Sequence, residues 1–420
     1  MTSTTANDAI IRTAEGVPLK LKLLRTTRRN RIVAFCLVVP LLLFILVTFL
    51  VPIAVMLLRS VDNPIVAETL PQTVAALEHW SGQGVPDEAA FAALAEEFTL
   101  ARENRTIGRA ATRLNFELSG MRSLVTSTAR TLSRGEQGPY KALLIEIDGR
   151  WGEQKTWATI KLIGQRYTTV QYLASFDLHY DAAGRIVAQP EVRQIYVQIF
   201  MRTLWVSLLV TVLCLLLGYP VAYLLSTLPS RISNMLMILV LLPFWTSLLV
   251  RTTAWIVLLQ THGVINDLLV WAGLIGDEAR VQMIYNMTGT IVAMTHILLP
   301  FMVLPIYSVM KTISPSHMRA ALSLGANPLV AFWRVYAPQT VPGIGAGSIL
   351  VFIISIGYYI TPALVGGRTG QLISNFIAFH MQKSLNWGLA AALGTVLLAC
   401  VLLLYWLYSR VVGLDKLKLG

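Results

Sequence analysis

The sequence predicts an all-α integral membrane protein with six transmembrane helices. Hydrophobic residues make up 55% of the 420 residues and charged residues only 13%, about half the charged share of soluble domains. This composition excludes the water-soluble, intrinsically disordered and disulfide-scaffold classes. A helix needs roughly 20 mainly apolar residues to cross a bilayer, and six runs reach that length: 33–58, 203–225, 235–259, 288–310, 342–365 and 387–407.

The first apolar run, 33–58, is predicted to be transmembrane helix 1 and to stay attached to the protein. It exceeds the roughly 7–15 apolar residues of a cleavable signal peptide, and no small-residue cleavage site follows it. Four arginines between positions 25 and 31 precede the run and favour retention in the cytoplasm. Residues 1–32 are therefore expected to form a basic cytoplasmic N-terminus.

Loop charges extend this assignment to the whole chain, because Lys and Arg concentrate on the cytoplasmic side of membrane proteins. The loop at 311–340 carries Lys and Arg but no acid, and the tail at 411–420 is also basic. Segment 59–200 is nearly neutral, with 15 basic and 16 acidic residues. We therefore expect both termini in the cytoplasm, and we attribute the net charge of +12 to topology rather than to nucleic-acid binding.

Segment 59–200, between transmembrane helices 1 and 2, is predicted to be a mainly helical insertion domain on the periplasmic side. The run Pro86-Asp87-Glu88 has the Pro and the acids typical of a first helical turn, and apolar spacing predicts a second helix over 107–132. Short strands are expected at 142–147 and 168–173. The three cysteines of the chain lie in apolar runs without metal-ligand spacing, so neither a disulfide nor a metal site is expected.

The loop at 311–340 has the pattern of two short helices joined by a tight turn. Ser314-Pro315 caps and starts the first helix, and Gly325 supplies the left-handed residue that ends it. Asn327-Pro328 then caps and starts the second helix. Small side chains on the first helix allow another surface to approach it closely. The pattern favours a cytoplasmic docking element, with an ordinary helical connection between two spans as the alternative.

This loop resembles the "EAA" coupling loop of ABC importer permeases, whose pattern is Glu-Ala-Ala, three residues, Gly, nine residues and Ile-x-Leu-Pro. Two positions depart from the pattern, since Arg319 stands where Glu is usual and Ala337 replaces Leu. In that family the first short helix docks into a cleft on a cytoplasmic ATPase. The resemblance thus assigns ATPase coupling to 311–340, hereafter the coupling segment. The residues at the pattern positions are Arg319, Ala320, Ala321, Gly325, Val335 and Pro338.

Motifs in the other spans resemble the polyamine-type, or spermidine/putrescine-like, branch of these permeases. They are the stretches 218–223, 242–255, 299–305 and 359–367, together with Asn386-Trp387. The resemblance covers about 200–420 and implies a type I ABC importer permease architecture with a five-helix core at 201–410. It also implies a place in the bacterial inner membrane. The implied partners are cytoplasmic ATPase subunits, a second permease subunit, a periplasmic substrate-binding protein and a small-molecule substrate, besides membrane lipid.

The chain is predicted to be a transport subunit and not an enzyme. The phosphate-binding pattern G-x4-G-K-[ST] does not occur in its sequence. ATP and Mg are therefore expected on the partner ATPase subunits, and no cofactor is expected in this chain.

A charge within the third predicted span points to a substrate pathway. Arg251 lies where a charge is costly and normally faces a cavity, a partner or a pore; an arginine held by structural partners is the alternative. Trp255 shares its helical stripe, which more often serves packing than ligand binding, and His296 in the fourth span is open to the same two interpretations. The residues expected to line the pathway near the third and fifth spans are Trp245, Arg251, Trp255, Tyr358, Tyr359 and Thr361.

The predicted function is that of a permease subunit of an ATP-driven importer, which moves a small polar amino compound across the membrane by alternating access. Polyamine-type permeases often carry an acid near the end of the fifth span, where this chain has Tyr358-Tyr359. Polyamine-like, opine-like and amino acid-like substrates all stay open. One alternative is a membrane receptor or scaffold whose 59–200 domain is the functional part. A secondary transporter is disfavoured, because none of the six predicted spans contains Asp or Glu.

Overall fold

The computed structural model describes residues 19–135, 138–181 and 183–412. The chain divides into two compact units, Met1–Leu58 and Arg59–Gly420. Within the described residues, six helices are long and apolar enough to cross a membrane, which confirms the predicted number. They are Thr26–Arg59, Tyr196–Thr227, Leu248–Trp271, Met287–Thr312, Pro328–Gly357 and Trp387–Arg410.

The described part of the first unit is one long helical element, which continues to Arg59 at the start of the second unit. It comprises α1 (Leu19–Ile45), a wider π-helical turn (Leu46–Leu50) and α2 (Val51–Arg59). Pro52 has no backbone N–H to donate to the preceding turn, which favours this local change of pitch. Residues 1–18 of the predicted N-terminal segment lie outside the described residues, as do 413–420 of the predicted tail.

The described residues of the insertion form eight α-helices, two short 3-10 helices (Gly149–Gly152 and Glu191–Arg193) and one small antiparallel hairpin, so the expected mainly helical character is confirmed. The hairpin pairs Leu178 with Ala188 and Tyr180 with Ile186. The elements are α3 (Pro64–Thr69), α4 (Pro71–Glu78), α5 (Glu88–Glu103), α6 (Ile107–Glu117), α7 (Met121–Leu132), α8 (Tyr140–Ile147), α9 (Gln154–Gly164), α10 (Val170–Ser175), β1 (Leu178–Tyr180) and β2 (Ile186–Ala188).

An aromatic cluster forms the centre of the insertion. Trp157 lies 4.4 Å from Phe91 and 5.6 Å from Trp151 between ring centroids, and Phe98 lies 5.8 Å from Trp151. All four side chains are fully buried. Both indole N–H groups are paired, since Trp151 donates to the Thr128 hydroxyl and Trp157 to the Trp151 carbonyl. The domain is therefore stabilised by aromatic burial, without the help of a disulfide among its described residues.

Two predictions for the insertion are wrong. Residues 142–147 belong to α8 and most of 168–173 to α10, where strands were expected. A short apolar run fits either a strand or a buried helix, and here Leu144 is fully buried from a helix. The single helix expected over 107–132 is two helices, because Gly120 has a φ of 90°, a conformation that residues with a Cβ avoid.

The remainder of the second unit is the permease core. Its helices are α11 (Tyr196–Thr227), α12 (Ser230–Trp245), α13 (Leu248–Leu259), α14 (Val264–Trp271), α15 (Met287–Thr312), α16 (Pro315–Ser323), α17 (Pro328–Ala331), α18 (Ala337–Gly357), α19 (Ile360–Val365), α20 (Ile373–Gln382) and α21 (Trp387–Val412).

Helices α11, α15 and α18 pack together at the centre of this core. A Cβ on Gly343 would lie 3.0 Å from the Cα of Ile306, and one on Gly347 would lie 3.1 Å from the carbonyl oxygen of Met302. Only glycine lets the backbones of α15 and α18 approach so closely, because any side chain would push them apart.

The prediction that the third span, 235–259, is one continuous helix is wrong. Helix α12 ends at Trp245, and α13 begins after Ser247, whose hydroxyl accepts a hydrogen bond from the Val250 N–H at 3.1 Å. This cap gives α13 its own N-terminus in the middle of an apolar run. The chain break therefore depends on local hydrogen bonding, which hydrophobicity alone does not reveal.

The observed third span continues through α14, and this extension places Asp267 within it. Asp267 lies beyond the predicted bounds of the third span, 235–259, and the six predicted ranges themselves contain no Asp or Glu. The Asp267 carboxylate forms an ion pair with Arg280 at 2.6 Å and is more than half exposed. The fifth span also shifts, since it runs over Pro328–Gly357 and the apolar residues beyond it form the separate helix α19.

Candidate substrate pathway and coupling segment

The coupling segment folds as two short helices joined by a tight turn. The Ser314 hydroxyl accepts a hydrogen bond from the Ser316 N–H at 3.3 Å, and α16 follows. Gly325 has a φ of 86° and ends the turn after α16. The Asn327 side chain then accepts a hydrogen bond from the Val330 N–H at 2.8 Å at the start of α17. Each of these local features was predicted from sequence.

Side-chain contacts attach the coupling segment to the permease core. The Phe332 ring lies 5.5 Å from Tyr223 of α11 and stacks on Tyr336 at 5.6 Å. His317 of α16 hydrogen-bonds with the Gln339 side chain of α18 at 2.9 Å. These contacts join the short helices to α11 and α18.

The predicted coupling residues differ in exposure. Arg319, Ala320, Gly325 and Pro338 are exposed, Val335 is half-buried and Ala321 is buried. Ala321 therefore packs within the segment rather than facing a partner. The most exposed apolar side chains of the segment were not among the predicted coupling residues; they are Leu324, Leu329 and Trp333. An apolar residue directly before the helix-ending Gly325 was the signal that could have identified Leu324.

A polar cluster lies between α13, α15 and α19 in the permease core. The indole N–H of Trp255 donates to Nδ1 of His296 at 3.1 Å, and the two rings are 5.2 Å apart. The hydroxyls of Thr252 and Thr361 are 3.4 Å apart, and both residues are fully buried. The two pairs share α13, which carries both Thr252 and Trp255. Thr252 and His296 were not among the residues predicted to line the pathway.

Arg251 lies beside this cluster and has structural partners of its own. Its guanidinium donates to the carbonyl oxygens of Pro243 and Thr246, the latter at 3.0 Å, and to the Thr246 hydroxyl at 3.4 Å. These carbonyls end α12, so Arg251 joins α12 to α13 across the break in the third span. Among the described residues no carboxylate forms an ion pair with Arg251.

The other predicted pathway residues occupy different environments. Tyr358 is half-buried directly after the end of α18. Tyr359 is 41% exposed, and its carbonyl accepts a hydrogen bond from the Asn375 side chain at 2.7 Å. Trp245 is 72% exposed at the end of α12, and no hydrogen bond or ring contact in the described part of the chain joins it to the cluster.

A buried carboxylate connects the insertion to the second span. Asp177, at the start of the hairpin, accepts hydrogen bonds from the backbone N–H groups of Ile195 (3.1 Å), Tyr196 (2.9 Å) and Val197 (2.9 Å). These groups form the first turn of α11, where the helix dipole favours a negative charge. The insertion therefore holds the N-terminal end of a membrane helix.

A histidine lies beside this connection. His380 of α20 hydrogen-bonds through Nε2 with the Tyr196 hydroxyl and through Nδ1 with the Ser384 hydroxyl, both at 2.8 Å. Burial lowers the pKa of His380 below its ordinary value because the charged imidazolium loses hydration there. The geometry therefore favours a neutral ring.

Comparison with known proteins identifies the class to which these features belong. Residues 215–412 match the family described as binding-protein-dependent transport system inner membrane component. The spermidine/putrescine transport system permease protein PotB of Escherichia coli (strain K12) is 35% identical over 222 residues, which cover 52% of this chain and 80% of that protein. The chain belongs to this family.

Two further similarities were found. The inner membrane ABC transporter permease protein YdcU of Escherichia coli (strain K12) is 31% identical over 232 residues, 52% of this chain and 73% of that protein. The crystal structure of a bacterial alginate ABC transporter in complex with an alginate pentasaccharide-bound periplasmic protein aligns with a TM-score of 0.40 and 20% identity. That alignment covers 51% of this chain and 77% of that chain.

This inner membrane component is a polyamine-type permease subunit of an ABC importer, which confirms the resemblance found in the sequence. It is a multi-pass protein of the inner membrane. The matched range 215–412 contains the polar cluster, Arg251 and the coupling segment. The insertion lies outside that range.

Proposed function

We propose that this permease subunit imports a small polar amino compound by alternating access, driven by ATP that separate subunits bind with Mg and hydrolyse. The observation that carries the proposal is the structure of the coupling segment. Two capped short helices present exposed residues on one side and hold α11 and α18 on the other. Such an element can receive the motion of an ATPase dimer and pass it to the membrane helices.

The transmission step follows from the packing of the core. Movement of the coupling segment shifts α18, which lies against α15 through Gly343 and Gly347. Helix α15 carries His296 of the polar cluster, so the shift changes the separation between α15 and α13. Nucleotide can drive this change only through different affinity for the two states, which the ATPase dimer supplies when it closes.

The substrate pathway is proposed to run along the polar cluster. Arg251 provides a positive charge without a paired carboxylate among the described residues, while Thr252, Trp255 and Thr361 provide neutral hydrogen-bonding groups. This set suits a carboxylate-bearing amino compound, such as an amino acid-like or opine-like solute. A polyamine is the second candidate, because PotB is named as a spermidine/putrescine permease.

The two substrate classes are distinguished by replacing Arg251 in a reconstituted transporter. Arg251→Lys keeps the charge but loses the planar fork, whereas Arg251→Gln loses the charge. If the charge binds a substrate carboxylate, the Gln variant raises KM for an amino acid-like substrate at least tenfold and the Lys variant raises it less. Uptake of a polyamine that improves in the Gln variant contradicts the carboxylate assignment.

The proposed membrane placement puts both termini and the coupling segment in the cytoplasm and the insertion in the periplasm. It is supported by the basic loops at 226–234 and 311–340, which contain no acid. The insertion is proposed to receive the periplasmic substrate-binding protein. Single cysteines at Gly138 and at Ser323 test the placement with a membrane-impermeant thiol reagent on intact spheroplasts. Labelling at position 323 and not at 138 contradicts it.

Native mass spectrometry of the gently extracted complex tests the proposal as a whole. The expected assembly contains this chain, one further permease subunit and two ATPase subunits. A homo-oligomer without any ATPase overturns the coupling proposal and points instead to a receptor or scaffold built around the insertion.

A further inference from the structure

A cleft of about 1020 Å³ lies where the insertion meets the start of the last membrane helix. Its walls come from α9, α10 and the hairpin of the insertion, and from the start of α21. Small-molecule sites in proteins measure about 300–1,000 Å³, so the cleft has room for a small ligand. All of its lining except Asn386 and Leu389 lies outside the matched family range 215–412. The proposed substrate pathway and the coupling segment include none of its residues.

Two buried side-chain amides line this cleft without the full set of partners that buried amides normally have. Gln171 of α10 is 6% exposed, and its side chain forms no hydrogen bond within the described part of the chain. Asn386 is 8% exposed, and its side-chain oxygen accepts a hydrogen bond from the Leu389 N–H at 3.2 Å. The NH2 group of Asn386 has no partner among the described residues. Because buried polar side chains almost always form hydrogen bonds, these two amides are the groups that a ligand can satisfy.

The contact between α10 and α21 positions the two amides. Gly388 lies opposite Gln171, and a Cβ at Gly388 would be 3.3 Å from Cγ and 3.4 Å from Nε2 of that side chain. Glycine at position 388 thus leaves the space that the Gln171 amide occupies. Ala174 of α10 packs against the apolar cluster that contains Leu389 of α21. The insertion and the start of a membrane helix therefore present their amides to one shared space.

The charged side chains that line the cleft are mostly paired within the protein. Three of them belong to ion pairs of 2.8–2.9 Å, and Lys161 donates to the Trp80 carbonyl at 2.6 Å. Arg193 forms no ion pair among the described residues, but it is exposed to water, which screens its charge. An ionic ligand therefore finds little opposite charge here, which favours an uncharged ligand. The three ion pairs are Arg113–Glu117, Lys155–Glu153 and Arg185–Asp181.

We propose that this cleft binds a small uncharged ligand of the amide class, a carboxamide or a short capped peptide. An amide carries a C=O acceptor beside an N–H donor, and the Gln171 side chain carries the same two groups. The ligand amide and Gln171 can therefore form two hydrogen bonds with each other, while another carbonyl of the ligand accepts from the NH2 group of Asn386. A ligand held in this way bridges α10 and α21 and connects the insertion to the last membrane helix.

Isothermal titration calorimetry on the full-length chain in nanodiscs tests this inference, with N-acetyl-tetraalanine amide as the probe. Gln171→Met removes the amide at a similar side-chain volume, and Asn386→Asp removes the NH2 donor but keeps an oxygen for the Leu389 N–H. Gly388→Ala keeps both amides and places a methyl group against Gln171. Gln72→Met is the matched control, because Gln72 is exposed in α4 and does not line the cleft. Thermal unfolding without the probe verifies that each variant is folded.

The wild-type chain is expected to bind the probe, and Gln171→Met is expected to weaken binding about tenfold because two neutral hydrogen bonds are lost. Asn386→Asp and Gly388→Ala are expected to weaken binding less, and Gln72→Met is expected to leave it unchanged. A wild-type chain that does not bind the probe at millimolar concentration overturns the proposal. Equally strong binding by a folded Gln171→Met variant also overturns it.

Parallel titrations test the chemical class of the ligand. Maltotetraose offers hydroxyl groups without an amide, and putrescine offers positive charges. The capped peptide is expected to bind more tightly than either compound. Tighter binding of maltotetraose or of putrescine overturns the amide assignment and points to a sugar or to a cation.

Discussion

The contact between Asp177 and the first turn of α11 supports a quantitative prediction. Replacing Asp177 with Ala removes the acceptor from three backbone N–H groups, at Ile195, Tyr196 and Val197. An unpaired N–H group costs about 1–3 kcal/mol, and the lower value applied to three groups gives about 3 kcal/mol. Because every 1.4 kcal/mol is about tenfold, local opening of this turn is expected to become on the order of 100-fold more frequent.

Hydrogen exchange of the full chain in nanodiscs measures this opening directly. Peptides covering 190–200 are expected to exchange on the order of 100-fold faster in Asp177→Ala, while peptides from α21 keep their protection. Asp177 has a φ of 58°, a conformation that Asn tolerates better than Ala. Asp177→Asn therefore isolates the loss of charge, and we expect an intermediate effect from it.

A matched control comes from the same hairpin. Asp181 accepts hydrogen bonds from the Ala183 and Arg185 N–H groups within an exposed turn. Asp181→Ala is expected to leave exchange at 195–197 unchanged. If Asp177→Ala folds and exchange at 195–197 also stays at the wild-type rate, the carboxylate does not hold the end of α11 and the argument is refuted.

Three further predictions concern the permease core. Gly343→Val is expected to destabilise the protein by about 1–3 kcal/mol, because the new side chain meets the α15 backbone; thermal unfolding in detergent measures the loss. Burial lowers the pKa of His380, so its stabilising contribution is present above the unfolded pKa of about 6.5 and is lost as the pH falls through the lower folded pKa. His380→Gln should flatten the dependence of the unfolding temperature on pH. Trp255→Phe removes the donor to His296 and is expected to lower the transport rate more than the amount of folded protein, measured by uptake per folded complex.

Each of these three has a control and a contradictory outcome. Gly357→Val introduces the same side chain where a Cβ meets no atom within 4 Å, so equal losses at both glycines contradict the packing argument. If the dependence of the unfolding temperature on pH is unchanged in His380→Gln, the acid sensitivity comes from other groups. For the tryptophan, unchanged uptake in Trp255→Phe removes its indole N–H from the pathway.

Local patterns predicted much of the fold and part of the site. The number of spans follows from apolar runs, because a helix must cover the bilayer with its own hydrogen bonds satisfied. The caps of the coupling segment were predictable because they are local. Ser314 and Asn327 accept hydrogen bonds from N–H groups only a few residues away, and Gly325 turns the backbone at its own position.

Arg251 illustrates what the sequence left open. Both interpretations of this residue, a pathway charge and a structurally paired arginine, were consistent with its position in an apolar run. Its hydrogen bonds to the carbonyls of Pro243 and Thr246 form only because helix α12 ends at Trp245. The end of α12 then lies close to Arg251 in the first turn of α13. The break itself depends on a single Ser cap, which a hydropathy pattern does not detect.

The sequence by itself determined the class of the protein, the six spans and the capped coupling segment, because bilayer thickness and helix caps act over short stretches of chain. Tertiary structure alone decided which distant groups meet. Asp177 bonds to the N-terminal turn of α11, which is 18 residues or more away in the sequence, and Trp255 bonds to His296, which is 41 residues away. Such pairs depend on how the helices pack, and packing energy is shared among many side chains rather than encoded at one position.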